Sequence, residues 1–117
     1  MAKDINKHII IGRMGDVPEV NETNGGKTVV NASFATNNSY TNSQGQKVEE
    51  TEWHRVVFYG GLADIAVKYM TKGSRAYVEG RSKTRKWEDK DGVTRYTTEI
   101  VATELQMLDS KAAKDAA

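Results

Sequence analysis

The sequence predicts an all-β fold with one short helix, and three observations point to it. Apolar and polar residues alternate with period two in several segments, most clearly where Val30, Ala32 and Phe34 are interleaved with Asn31, Ser33 and Ala35. A single segment breaks that rhythm. Leu62, Ile65, Ala66 and Tyr69 fall at i, i+3, i+4 and i+7, the spacing of an amphipathic helix. Turn-forming clusters, Asn24-Gly25-Gly26 and Asp89-Lys90-Asp91-Gly92, separate the alternating segments.

Taken in order, residues 5–15 hold the Ile9-Ile10-Ile11 cluster and form a first strand that bends at Gly12 and Gly15. Asn24-Gly25-Gly26 supplies a hairpin turn, because Asn and Gly tolerate positive φ. The second strand carries Val30, Ala32 and Phe34 as its buried half. Residues 37–50 are rich in Asn, Ser, Gly, Gln and Glu and read as a long loop with Tyr40 near its start. A third strand spans 52–60, and the helix that follows stops at Lys72-Gly73, a basic last turn closed by glycine. Period two returns from Arg75 to Trp87, and after the turn at 89–92 a fifth strand runs back to about Leu108. The segment 109–117 offers no core residue and is expected to fray or extend as weak helix. Three strands, a helix and two strands is the layout of a five-stranded OB-fold barrel over 1–108, with a short tail over 109–117. That architecture binds oligonucleotides or oligosaccharides on one sheet face, but function has to be argued from the site.

Composition narrows the classes. A chain of 117 residues suits one compact domain, and 38% hydrophobic content supports a modest core. With no cysteine there are no disulfides or thiolate metal sites. His8 and His54 are the two histidines and stand far apart in sequence, so neither a metal nor a cofactor is expected. The Ile9-Ile10-Ile11 cluster is far short of a membrane span, and Met1-Ala2-Lys3-Asp4 does not begin a signal peptide, which points to the cytoplasm. The net charge is only +1, but it is unevenly spread: residues 1–52 carry five basic and seven acidic side chains, residues 53–117 twelve and nine. Within 72–95 eight basic residues face four acidic ones, the local stripe that an electrostatic footprint requires.

The stripe coincides with aromatic residues. Period two puts Trp53, Arg55, Val57 and Tyr59 on one face of the third strand and His54, Val56 and Phe58 on the other. In the fourth strand, Arg81, Lys83 and Arg85 share a face that ends at Trp87. Aromatic faces that stack on bases, interleaved with cations that neutralise phosphates, answer the two halves of a nucleotide. A solvated outer face and a buried Trp53 are the competing arrangements. Tyr40 is either a loop anchor or a further stacking residue.

Other motifs fail on inspection. Gly26-Lys27-Thr28 suggests a phosphate loop, but Asn21 stands where that motif needs its first glycine, and a strand follows where it needs a helix. Asp89 and Asp91 lack the later ligands of a calcium loop and fit a hairpin tip. His54 has no Ser, Cys or Asp partner placed beside it in sequence, and a satisfied core or subunit-contact histidine explains it better than a general base.

These residues together resemble the bacterial single-stranded DNA-binding proteins, a homo-oligomeric family. The likeness runs through Asn6-Lys7, the isoleucine strand to Gly12, Pro18-Glu19-Val20, Thr51 to Val57, Lys72-Gly73-Ser74, Tyr77-Val78-Glu79-Gly80, Thr84-Arg85-Lys86-Trp87, Arg95 to Glu99 and Met107-Leu108, nearly the whole of 3–108. The resemblance implies four stacking positions, at Tyr40, Trp53, Tyr59 and Trp87. It implies phosphate contacts at Lys7, Arg55, Lys72, Arg85 and Lys86, to which the cationic stripe adds Arg81 and Lys83. It further implies subunit contacts around His8, Ile10, His54 and Tyr77 in a homotetramer, and a nucleoid-associated place in the cytoplasm. Asn21 and Gly61 stand where relatives often carry a cation, which implies fewer phosphate contacts. Relatives usually close with a Gly/Pro/Gln-rich linker and an acidic tip that recruits replication and repair enzymes. This sequence ends at Asp115-Ala116-Ala117 with two lysines nearby, so it gives no ground for expecting such recruitment.

The expected function is therefore sequence-independent binding and protection of single-stranded DNA during replication, recombination and repair. A protein-interaction module and an RNA-binding barrel use the same kind of face and stay open as alternatives. An enzyme is not expected, because no catalytic constellation is present.

Overall fold

The computed structural model describes residues 4–16, 18–22 and 25–109. It forms one six-stranded sheet in the order β1-β5-β6-β4-β3-β2, closed by a further β1–β3 pairing. The strands are β1 (His8–Met14), β2 (Glu19–Glu22), β3 (Thr28–Thr41), β4 (Lys47–Tyr59), β5 (Arg75–Glu88) and β6 (Thr94–Met107), with α1 (Gly61–Tyr69) between β4 and β5. Five strands, β1, β3, β4, β5 and β6, make the closed barrel of an OB-fold, and β2 adds to the edge of β3. Among the described residues only the β4–β6 pairing, Val56↔Ile100 and Val57↔Val101, is parallel.

Closure depends on β1 pairing along two different neighbours. Its residues His8 to Arg13 pair with β5, while Arg13 and Met14 pair with Ala35 and Phe34 of β3. At this crossing a Cβ on Gly12 would stand 2.5 Å from the Ala35 carbonyl oxygen, so only glycine lets the two backbones approach. The inward-facing side chains fill the barrel. Phe34 and Phe58 meet edge to face at 6.4 Å between ring centres, packed with Met14, Val30, Val56 and Val78.

Three features depart from the sequence expectations. The short strand β2 was not anticipated; all four of its residues are exposed, so no burial pattern marks it. It pairs with β3 from Glu19↔Asn31 to Glu22↔Thr28, on either side of the expected turn, of which Asn24 lies outside the described residues. The expected loop at 37–50 is instead a long hairpin, with β3 and β4 paired in register out to Thr41↔Lys47. Its polar residues form strand without burying a face, because the ribbon extends beyond the core. The turn is set by Asn42, whose Oδ1 accepts from the backbone N–H groups of Gln44 and Gln46, and by Gly45 at φ 78°.

The helix is where expected but presents a different face. Ala63 and Ala66 are buried and Leu62 packs partly against the core, whereas Ile65 and Tyr69 are exposed. Small side chains let α1 lie close against the end of the barrel, and the bulkier residues turn outward. The helix ends at Met70, which is extended; Gly73 at φ 87° then returns the chain, its N–H donating to the Met14 carbonyl. Apart from Asp109, whose carboxylate accepts from the Arg75 backbone N–H, the tail expected over 109–117 lies outside the described residues. Among the described residues no helix is long and apolar enough to cross a membrane.

Candidate nucleic-acid interface

The register fixes which side chains share the outer face of the barrel. In β4, Trp53, Arg55, Val57 and Tyr59 alternate with the inward His54, Val56 and Phe58, as the period-two reading expects. Their cross-strand partners on β3 are Ala35, Ser33, Asn31 and Val29. On the β5–β6 side, Arg81, Lys83, Arg85 and Trp87 stand opposite Val101, Glu99, Thr97 and Arg95. Directly paired residues project to the same side of a sheet, so these sets form one continuous surface across four strands.

Trp53 is not a core residue: 59% of its surface is exposed, in mid-strand. Its six-membered ring lies over Gly15, where a Cβ would come within 2.3 Å of the indole. The bare glycine backbone is thus a seat for the ring. Trp87 is fixed differently. Its Nε1–H donates to Thr97 Oγ1 at 2.8 Å, which holds the indole along the ribbon and leaves it 40% exposed. Tyr59 completes the exposed aromatics of this face, while Val57 between them is buried.

The cations sit between the rings. Arg55 and Arg85 line one groove of about 390 Å³ together with Asp16, Glu19, Asn31 and Ser33. Arg85 is ion-paired through Nε to Glu99 Oε1 at 3.2 Å, and Glu99 is a buried carboxylate on the same face. Sequence reasoning overlooked Glu99, because an acidic residue in a period-two strand reads as solvated; its place opposite Lys83 could have drawn attention. Arg95 is held by Asp89 at the base of the 89–92 turn, and the Val93 N–H and then Arg95 keep the Asp89 carboxyl below its ordinary range.

Several expected site residues lie elsewhere. Tyr40 is in β3 rather than a loop, donates its hydroxyl to Glu50, and by alternation occupies the hairpin face that carries His54, not Trp53. Lys86, paired with Tyr96, is on the ribbon face opposite Trp87. Lys72 is exposed in the segment between α1 and β5. Lys7 reaches Glu79 at 3.6 Å, and Glu79 also accepts the Tyr77 hydroxyl at 2.8 Å, which raises the tyrosine pKa. This group belongs to the outer β1–β5 surface, beside an apolar depression lined by Ile11, Leu62, Tyr77, Leu105 and Leu108.

The histidines come together despite their distance in sequence. His8 and His54 pack edge to face at 5.8 Å, His54 Nε2 bonds Thr36 Oγ1 at 2.9 Å, and His8 Nδ1 lies 3.3 Å from Ser82 Oγ. Burial, then the proximity of His8, lowers the His54 pKa from 6.5. Ile10, expected at a subunit contact, has its side chain in the core at 6% exposure. A one-residue shift in strand parity separates it from Ile9 and Ile11, which do face outward. Among the described residues no three His, Cys, Asp or Glu side chains gather as a metal site would require.

Comparison with known proteins gives concordant results. Residues 5–108 match the single-strand binding protein family. A relative from Chlorobaculum tepidum, named single-stranded DNA-binding protein 1, is 48% identical over 112 residues, covering 95% of this chain and 69% of that protein. A solved structure described as Plasmodium falciparum SSB complex with ssDNA superposes with a TM-score of 0.84 at 36% identity, covering 93% of this chain and 99% of that one.

Proposed function

The chain belongs to the single-strand binding protein family, and on that basis we propose that it binds and protects single-stranded DNA without regard to sequence. Bases stack on Trp53, Tyr59 and Trp87, each contributing about 1–3 kcal/mol, a range drawn from this class of protein. Arg55, Arg81, Lys83 and Arg85 neutralise phosphates between them. Duplex DNA hides the base faces, so single strands are preferred. Tyr40 and Lys86 extend the path only for a strand that passes around the two ribbons, since both lie off the main face. The observation that carries this reading is Trp53: a large indole left 59% exposed in mid-strand, next to Arg55, which with Arg85, Asp16 and Glu19 lines a groove.

The protein works as a homotetramer in replication, recombination and repair. Support for assembly comes from the outer face of β1, where Ile9 and Ile11 are exposed beside the depression under Tyr77 and Leu105.

A fluorescence titration tests the binding reading. A thymidine homopolymer quenches the tryptophan emission strongly and duplex of the same length does so weakly. Affinity falls linearly in log–log form as salt rises, by roughly 0.7 per phosphate neutralised. Absence of quenching by the homopolymer would overturn the proposal.

A further inference from the structure

An ionised carboxylate in a phosphate-binding face is a liability, since it repels the ligand and its burial costs solvation. Glu99 is such a group. Its side chain is 8% exposed, and its Oε1 accepts from Arg85 Nε at 3.2 Å. It lines a cleft with Trp53, His54 and Arg55, and Lys83 is its cross-strand partner, so both neighbouring cations of the face stand near it. Glu99 engages the Nε edge of Arg85 and so leaves the two terminal Nη groups, with four N–H donors, for other partners. Arg85 itself is 49% exposed and lines the groove shared with Arg55, where Asp16 and Glu19 also stand and make a well-aimed guanidinium edge the more necessary for a phosphate.

We infer that Glu99 is a positioning residue for single-strand binding: it anchors Arg85 by Nε and turns its Nη edge toward a phosphate in the groove beside Arg55. The inference rests on the proposed function. A guanidinium held in place before binding gives up less freedom when the phosphate arrives, and its fork can take two phosphate oxygens at once. Lysine is a poor substitute, because its compact ammonium lacks the rigid planar fork that faces Glu99 with one edge and the groove with another.

The two roles open to Glu99 predict opposite signs. If it only neutralised Arg85, removing it would tighten binding. If it positions Arg85, then Glu99→Met weakens binding to a thymidine homopolymer by about two- to tenfold. It also lowers the slope of log affinity against log salt by about 0.7, one lost single-strand phosphate contact. Glu99→Gln keeps an acceptor for Nε and binds within about twofold of the wild type, less than the ordering cost of one such side chain. Arg85→Met reproduces the loss, and the double variant Glu99→Met/Arg85→Met loses no more than either alone. Arg85→Lys leaves the carboxylate paired, so it folds, and is as weak as Arg85→Met. Binding by Glu99→Met as tight as the wild type, or wild-type affinity for Arg85→Lys, would overturn the inference. If Glu99→Met or Arg85→Met is found unfolded by circular dichroism, the comparison of Arg85→Lys with the wild type decides alone. A wild-type protein that does not bind the homopolymer sinks the functional reading itself, a separate result from wild-type binding with unaffected variants.

Discussion

Gly15 and Trp53 are matched surfaces: the indole lies where the glycine's Cβ would be, 2.3 Å from the nearest ring carbon. The seat sets the height and tilt of the ring above the barrel without burying it. Gly15→Ala must displace the far end of the indole, whereas the fold has little at stake. The expected result is a near-normal melting temperature, weaker quenching by a thymidine homopolymer, and an affinity loss of up to about 1–3 kcal/mol, the value of one stacked base. Equal losses in stability and binding would instead point to Trp53 as a structural wedge.

Barrel closure makes a contrasting demand on Gly12. Here the obstructing atom is the Ala35 backbone oxygen at 2.5 Å, which cannot rotate away. Gly12→Ala is expected to cost about 1–3 kcal/mol through overpacking, measured by urea unfolding. Phe34→Ala, at a fully buried site, should cost about 3–5 kcal/mol in the same measurement.

The His54 pKa lies below its ordinary 6.5, chiefly through burial and secondly through His8, against an opposing pull from Glu52. The unfolded chain therefore binds the proton more readily. Stability from this group is fully present above 6.5 and is lost as pH falls from there through the folded-state pKa. Unfolding curves between pH 7.5 and 5 should show this decline, and His54→Asn should flatten it. An unchanged profile in the variant would assign the pH dependence to other groups.

Assembly should depend on the outer face of β1. Ile9→Glu and Ile11→Glu place charge on exposed positions, so the barrel should stay folded while the mass by light scattering falls from four times 13.0 kDa toward a smaller species. A wild-type protein of single-chain mass would refute the tetramer directly.

Much of this was legible in the sequence because the barrel strands bury one side each. Period two separated Trp53, Arg55 and Tyr59 from Val56 and Phe58, and burial follows that division except at Val57, which is buried on the outer face. The same rule has no purchase where neither side is buried. The ribbon from Asn37 to Glu50 and the edge strand β2 are solvated on both faces, so their polar residues read as loop. In α1 the helical period was correct, but the choice between Ile65 and Ala63 as the inward residue depends on how closely the helix approaches the barrel. Hydrophobicity favours isoleucine, and the available space favours alanine.

By itself the sequence determined the order of the five barrel strands and the helix, the inward and outward faces of β4 and β5, and the aromatic and cationic character of one face, since each follows from the local pattern of side chains. Only the tertiary structure decided what those residues touch. It set Trp53 on Gly15, tied Arg85 to a buried Glu99, brought His8 to His54, and placed Tyr40 on the other face of its hairpin. Each of these depends on register and closure between strands distant in sequence, and no local pattern of residues encodes a distance across a barrel.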